Sequence, residues 1–70
     1  MIRNTRQRAA VNAVFDSLDG FHSAQEVHAR MHAEGSGVSL STVYRAVRAL
    51  TADGELDSLL TAGGETLYRR

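Results

Sequence analysis

Apolar residues recur at helical spacing in three successive stretches of this chain, and then the spacing changes. Val11, Val14, Phe15 and Leu18 follow i, i+3, i+4, i+7, the stripe of a helix with one buried face. This pattern predicts a first helix from an N-cap at Thr5 to about Leu18, ended by Asp19-Gly20 and preceded by an arm, Met1 to Asn4. Ser23-Ala24-Gln25-Glu26 is a capping box, in which the serine hydroxyl accepts from the Glu26 amide and Glu26 reaches back to the Ser23 amide. A second helix follows to about Ala33, burying Ala24, Val27 and Met31. Glu34-Gly35-Ser36-Gly37 is a turn, with Gly35 suited to the left-handed position after a helix. A third helix starts from an N-cap at Ser39 and stops near Asp53-Gly54. On it Val43, Val47 and Leu50 form the apolar stripe, with Ala46 at its edge. Ser41, Arg45, Arg48 and Ala52 point the other way, with Tyr44 on the flank.

Beyond Gly54 the helical period is lost. Glu55 to Leu60 mixes apolar and polar residues, Ala62-Gly63-Gly64-Glu65 is a turn, and Thr66-Leu67-Tyr68-Arg69 alternates, which together predict a β-hairpin. A bundle of three short helices leaves one side of its core open, and Leu56 and Tyr68 are the residues by which a hairpin would close it. Two helices joined by a short Gly-containing turn, the second carrying the arginines, make a helix-turn-helix, and a trailing hairpin makes it winged. The expected fold is therefore mainly α with a small antiparallel β-hairpin. It is a winged helix-turn-helix of three helices and a two-stranded wing, one domain over residues 1–70.

Composition narrows the classes. A 70-residue chain buries only about 60% of its unfolded surface, enough for one small core and little pocket volume. Without cysteine there is neither a disulfide framework nor a thiolate metal site within these residues. No apolar run approaches a membrane span and the N-terminus lacks a signal peptide's apolar core, so a soluble cytoplasmic protein is expected. No nucleophile-base set and no phosphate-binding glycine motif is present, which argues against an enzyme. Eight arginines balance eight acids, and zero net charge by itself speaks against a nucleic-acid binder. The charges, however, fall in blocks. Arg3, Arg6 and Arg8 open the chain without an acid, Arg45 and Arg48 stand in an acid-free stretch from Gly35 to Ala52, and Asp53, Glu55, Asp57 and Glu65 follow without a base. A local basic face is compatible with overall neutrality. From the third helix alone, an amphipathic helix with merely solvated arginines is the simpler reading. A short helix, apolar behind and arginine-bearing in front, also suits a DNA major groove.

Three segments resemble the ferric uptake regulator (Fur) family of metal-dependent transcriptional repressors. Thr5-Arg6-Gln7-Arg8 is similar to the opening of that family's first helix, and Phe21 to Val27 to the start of its second. Ser39-Leu40-Ser41-Thr42-Val43-Tyr44-Arg45 is similar to the signature of its recognition helix. Gly64 to Arg70 looks most like the zinc-sensing branch, the zinc uptake regulators. The resemblance runs from about Arg3 to Arg70, the family's N-terminal DNA-binding half. The C-terminal half, which supplies dimerisation and most metal ligands, is not among these residues. It implies a domain truncated from a longer repressor, monomeric alone and without a cofactor of its own. The full-length protein is expected to bind zinc and to form a homodimer on an inverted repeat in double-stranded DNA.

The same resemblance assigns roles. Tyr44, by its position a half-core aromatic, would meet a thymine methyl and the backbone. Arg45, which cannot join the core, would reach a base edge or a phosphate. Ser41 and Thr42, in the first turn, and Arg48 suit phosphates, although Thr42 could equally cap its own helix. Arg3 stands where the family often has a basic residue that reaches into the minor groove. Arg6 and Arg8 would meet phosphate or pair with nearby acids, and Arg8 is kept among the DNA contacts. Asp57 corresponds to a zinc ligand of the intact zinc-sensing protein, where it joins Cys and His residues from beyond the wing. His28 and His32, at i, i+4, could share a metal, but a surface pair without a third ligand is the plainer reading. His22 lies one position after a family ligand position that here is Phe21. A winged helix used as a protein-interaction module remains the alternative, favoured by zero net charge.

Overall fold

The computed structural model describes residues 3–70, with side chains from Arg6 onward. Its elements run α1 (Arg3–Phe15), β1 (His22–Ser23), α2 (Ala24–Ala33), α3 (Leu40–Ala52), β2 (Asp57–Leu60) and β3 (Thr66–Arg69). This is a winged helix, with one strand more than the sequence pattern predicts. The strands form one antiparallel sheet in the order β1-β3-β2, with His22 opposite Tyr68 and Leu59 opposite Leu67. A two-residue strand is too short to show alternation, so only its pairing with β3 reveals it.

The first helix differs at both ends from its prediction. It already includes Arg3, so Arg3 and Asn4 are helical and Thr5 lies inside rather than at the cap. The reason is legible: three residues after Thr5 stands Arg8, not the Glu or Gln that completes a capping box. The helix closes at Phe15 instead of Leu18, through tight i→i−3 bonds from Asp16, Ser17 and Leu18 to Ala13, Val14 and Phe15. Leu18 still packs against the core from this turn.

The other two helices begin and end as their cap residues dictate. The Ser23 hydroxyl accepts from the Glu26 amide (3.1 Å), and the Glu26 carboxylate accepts from the Ser23 amide (2.8 Å). The Ser39 hydroxyl accepts from the Thr42 amide at 3.2 Å. Both helices end in the same way. At the end of α2 the Gly35 amide donates to His32 and the Ser36 amide to Met31. At the end of α3 the Gly54 amide donates to Thr51 and the Glu55 amide to Leu50. This double closure needs a left-handed residue in the middle, and Gly35 (φ +91°) and Gly54 (φ +81°) supply it.

The core gathers Val11 and Phe15 from α1, Ala24, Val27 and Met31 from α2, and Val43, Ala46, Val47 and Leu50 from α3. Leu56 and Tyr68 close its open side, as the sequence predicts. Among the described residues no helix is long and apolar enough to cross a membrane. Leu50 is 2% exposed, whereas Leu60 on the edge strand is 69% exposed. Leu50→Ala should therefore cost about 2–5 kcal/mol, a large share of the stability of so small a domain. Leu60→Ala should change it by less than about 0.5 kcal/mol. Urea titrations followed by circular dichroism measure both, and equal costs would contradict this core.

Candidate nucleic-acid interface

Four residues of α3 turn inward, and that fixes what it presents outward. With Val43, Ala46, Val47 and Leu50 buried, Ser41, Tyr44, Arg45 and Arg48 are exposed and Thr42 is half-buried. Tyr44 is 40% exposed, so its ring is on the surface rather than in the core. At the N-terminus of the helix three hydroxyls cluster. Ser39 Oγ donates to Thr42 Oγ1 (2.9 Å) and lies 3.2 Å from Ser41 Oγ.

Ion pairing sorts the arginines. Arg8 pairs with Asp53 (3.0 Å), Arg30 with Glu34 (3.0 Å), and Arg70 with Asp16. Arg69 lies over the Phe21 ring, 4.7 Å from its centroid, and 3.9 Å from Asp57. Among the described residues Arg6, Arg45 and Arg48 meet no carboxylate within 4.0 Å. Four of the eight arginines thus pair with acids away from the outer face of α3, and Arg45 and Arg48 on that face form no ion pair. Positive potential there survives a total charge of zero.

Two clefts flank that face. One, of about 80 Å³, lies between α1 and α3 and is lined by Gln7, Arg8, Thr42, Arg45, Ala46 and Ala49. The other opens between the start of α2, α3 and the wing, where Tyr44 and Arg48 meet Gln25 and Glu65. The structure so divides the candidate residues: Thr42 and Arg45 border α1, while Tyr44 and Arg48 border the wing. Gln7 and Gln25 were not singled out in the sequence, because nothing in a linear pattern brings either glutamine beside α3. Arg8 reaches the α1–α3 cleft but is held by Asp53. The Arg3 side chain lies outside the described residues.

The metal candidates do not converge. Asp57 begins β2, is exposed, and faces Arg69 across the strand pair. His28 and His32 stack with centroids 6.3 Å apart and planes 23° from parallel. The ring of His22 places Nε2 2.7 Å from the Asp19 carbonyl and Nδ1 3.5 Å from Glu26. Among the described residues no three His, Cys, Asp or Glu side chains are grouped to hold a metal. Asp57 could contribute one oxygen to a site, not form one.

The sequence model of the Ferric uptake regulator family matches residues 1–70. The chain is 44% identical over 69 residues to the zinc uptake regulation protein of Mycobacterium tuberculosis, covering 99% of this chain and 53% of that protein. It is 41% identical over 68 residues to the ferric uptake regulation protein of Synechocystis sp., covering 94% and 41% respectively. Among solved structures it superposes on FurB from M. tuberculosis, a zinc uptake regulator, with a TM-score of 0.91 and 43% identity. That match covers 99% of this chain and 54% of the other. The chain thus spans about half the length of these relatives, which are named as regulators rather than as enzymes.

Because Arg45 and Arg48 form no ion pair within 4.0 Å, their removal should leave folding almost untouched. Arg45→Ala and Arg48→Ala should each shift Tm by no more than about 2–4 °C. Arg70→Ala, which loses Asp16 and the Asn12 contacts that tie the end of β3 to α1, should lower it further. Thermal melts of the three variants give the comparison.

Proposed function

The chain belongs to the ferric uptake regulator family, and from that premise we propose that it is the DNA-binding part of a cytoplasmic, metal-responsive transcriptional repressor. The carrying observation is the pair Arg45 and Arg48, exposed together on α3 with no ion pair within 4.0 Å and a packed core behind. In this reading α3 enters the major groove of double-stranded DNA. Arg45 reads a base edge, and Tyr44 packs its ring on a thymine methyl. Ser41, Thr42 and Arg48 hold phosphates, which set register without reading sequence. Arg8 adds a phosphate contact from α1, and Arg3 enters the adjacent minor groove.

The relatives' names support zinc as the signal. The full-length protein would bind zinc and act as a homodimer on an inverted-repeat operator, since two-fold symmetry in the protein calls for it in the DNA. Asp57 would be this chain's contribution to the metal. Among the described residues no further ligands are grouped around it.

Three measurements test the reading. Affinity of the chain for a duplex selected from a random pool should fall steeply with salt, by a log–log slope of about 0.9 per phosphate neutralised. A shallow slope would favour the protein-interaction module instead. Arg45→Ala should lower the preference for the selected duplex over a scrambled one, as loss of about 1–3 kcal/mol of discrimination. An unchanged ratio would remove Arg45 from base readout. Asp57→Ala should leave duplex binding by this chain within about twofold, because its exposed carboxylate stabilises no more than a weak surface pair. A large loss would assign Asp57 a structural role.

A further inference from the structure

The cleft between α1 and α3 has the chemistry of an oxyanion site. Its floor is Ala46 and Ala49, whose small side chains leave the space of about 80 Å³ open. Gln7 and Arg8 wall it from α1, and Thr42 and Arg45 from α3. Each of the four carries a donor, and two of them are guanidinium groups, which match the geometry of phosphate oxygens. No carboxylate lines the cleft. The Thr42 oxygen accepts from Ser39, so its own proton remains to be donated elsewhere.

Asp53 is the odd member of this arrangement. It is the C-cap of α3, where the helix dipole disfavours a negative charge. Its partner is Arg8, at 3.0 Å, with both side chains well exposed at 38% and 52%. A screened pair of this kind contributes little to stability. It can therefore be exchanged at small cost for another anion of suitable shape.

We propose that this cleft seats one backbone phosphate of DNA, and that Asp53 is the resident counter-ion from which the phosphate takes over Arg8. The idea rests on the DNA-binding reading and adds to it a defined site and an inhibitory carboxylate. In the free chain Asp53 neutralises Arg8, while Arg45 stays uncompensated. In the complex the phosphate is held by Arg8, with the Thr42 hydroxyl and the Gln7 amide group as further donors, and Arg45 at the edge of the cleft stays free to reach a base. Asp53 thereby weakens binding to every duplex alike, since a phosphate carries no sequence information.

The test is duplex affinity as a function of salt for the chain and its variants, each checked for folding by circular dichroism. Asp53→Asn should bind selected and scrambled duplexes about two- to fivefold more tightly at low salt. Arg8→Gln should make the log–log salt slope shallower by about 0.9. The double variant should lose the gain that Asp53→Asn gives alone. Arg30→Gln, which disrupts an equivalent pair with Glu34 on α2, should leave the slope unchanged. If Arg8→Gln does not fold, Gln7→Ala and Thr42→Val carry the test, each weakening both duplexes without changing their ratio. A gain from Asp53→Asn that persists without Arg8 overturns the proposal, because general charge would then explain it. A salt slope unmoved by Arg8→Gln but flattened by Arg48→Ala overturns this seat and leaves the DNA-binding reading standing. Gln7 and Thr42 amide resonances that shift with inorganic phosphate but not with duplex also overturn it. A chain that binds no duplex overturns both readings.

Discussion

The dry face of α3 is the constraint on which the other features depend. Val43, Ala46, Val47 and Leu50 leave water because α1 and α2 pack against one side of the helix and Leu56 and Tyr68 close the same core. Once that side is buried, rotation of α3 about its axis is no longer free. Ser41, Tyr44, Arg45 and Arg48 are then exposed by geometry rather than by any preference of their own. The helix ends reinforce this. Ser39 closes the start, and the backbone reversal at Gly54 sends the chain to Leu56, whose side chain returns to the same core. A substitution in the core would therefore act on the exposed face by loosening its orientation, without touching a single exposed group.

Electrostatics is arranged on top of that packing. The chain carries as many acids as arginines, yet the pairs are made away from the outer face of α3: at its C-terminus, within α2, across the wing and between Arg70 and α1. A neutral total limits indiscriminate attraction to polyanions, which a strongly basic surface would bind everywhere. What distinguishes one arginine from another here is its neighbour. Arg8 and Arg45 border the same cleft, but only Arg8 has a carboxylate within reach. The wing serves both packing and presentation: Tyr68 fills the core from the central strand, while Gly64 and Glu65 stand beside Tyr44 and Arg48.

Much of this was written locally in the chain. The capping box at Ser23, the serine cap at Ser39, the left-handed glycines and the three apolar stripes all act within a few residues, so their spacing alone determined where α2 and α3 run and which side of each is buried. The segment from Ser39 to Arg45 likewise pointed to the outward residues. The tertiary structure decided what depends on residues distant in sequence. It extended α1 back to Arg3, because no complete capping box competes at Thr5, and ended it at Phe15 through tight turns. It recruited His22–Ser23 as a third strand, a pairing across 46 positions that two residues cannot signal. It gave Arg8 to Asp53 and left Arg45 without a partner, because ion pairing is set by distance in space, and no local pattern records which acid a long side chain will find.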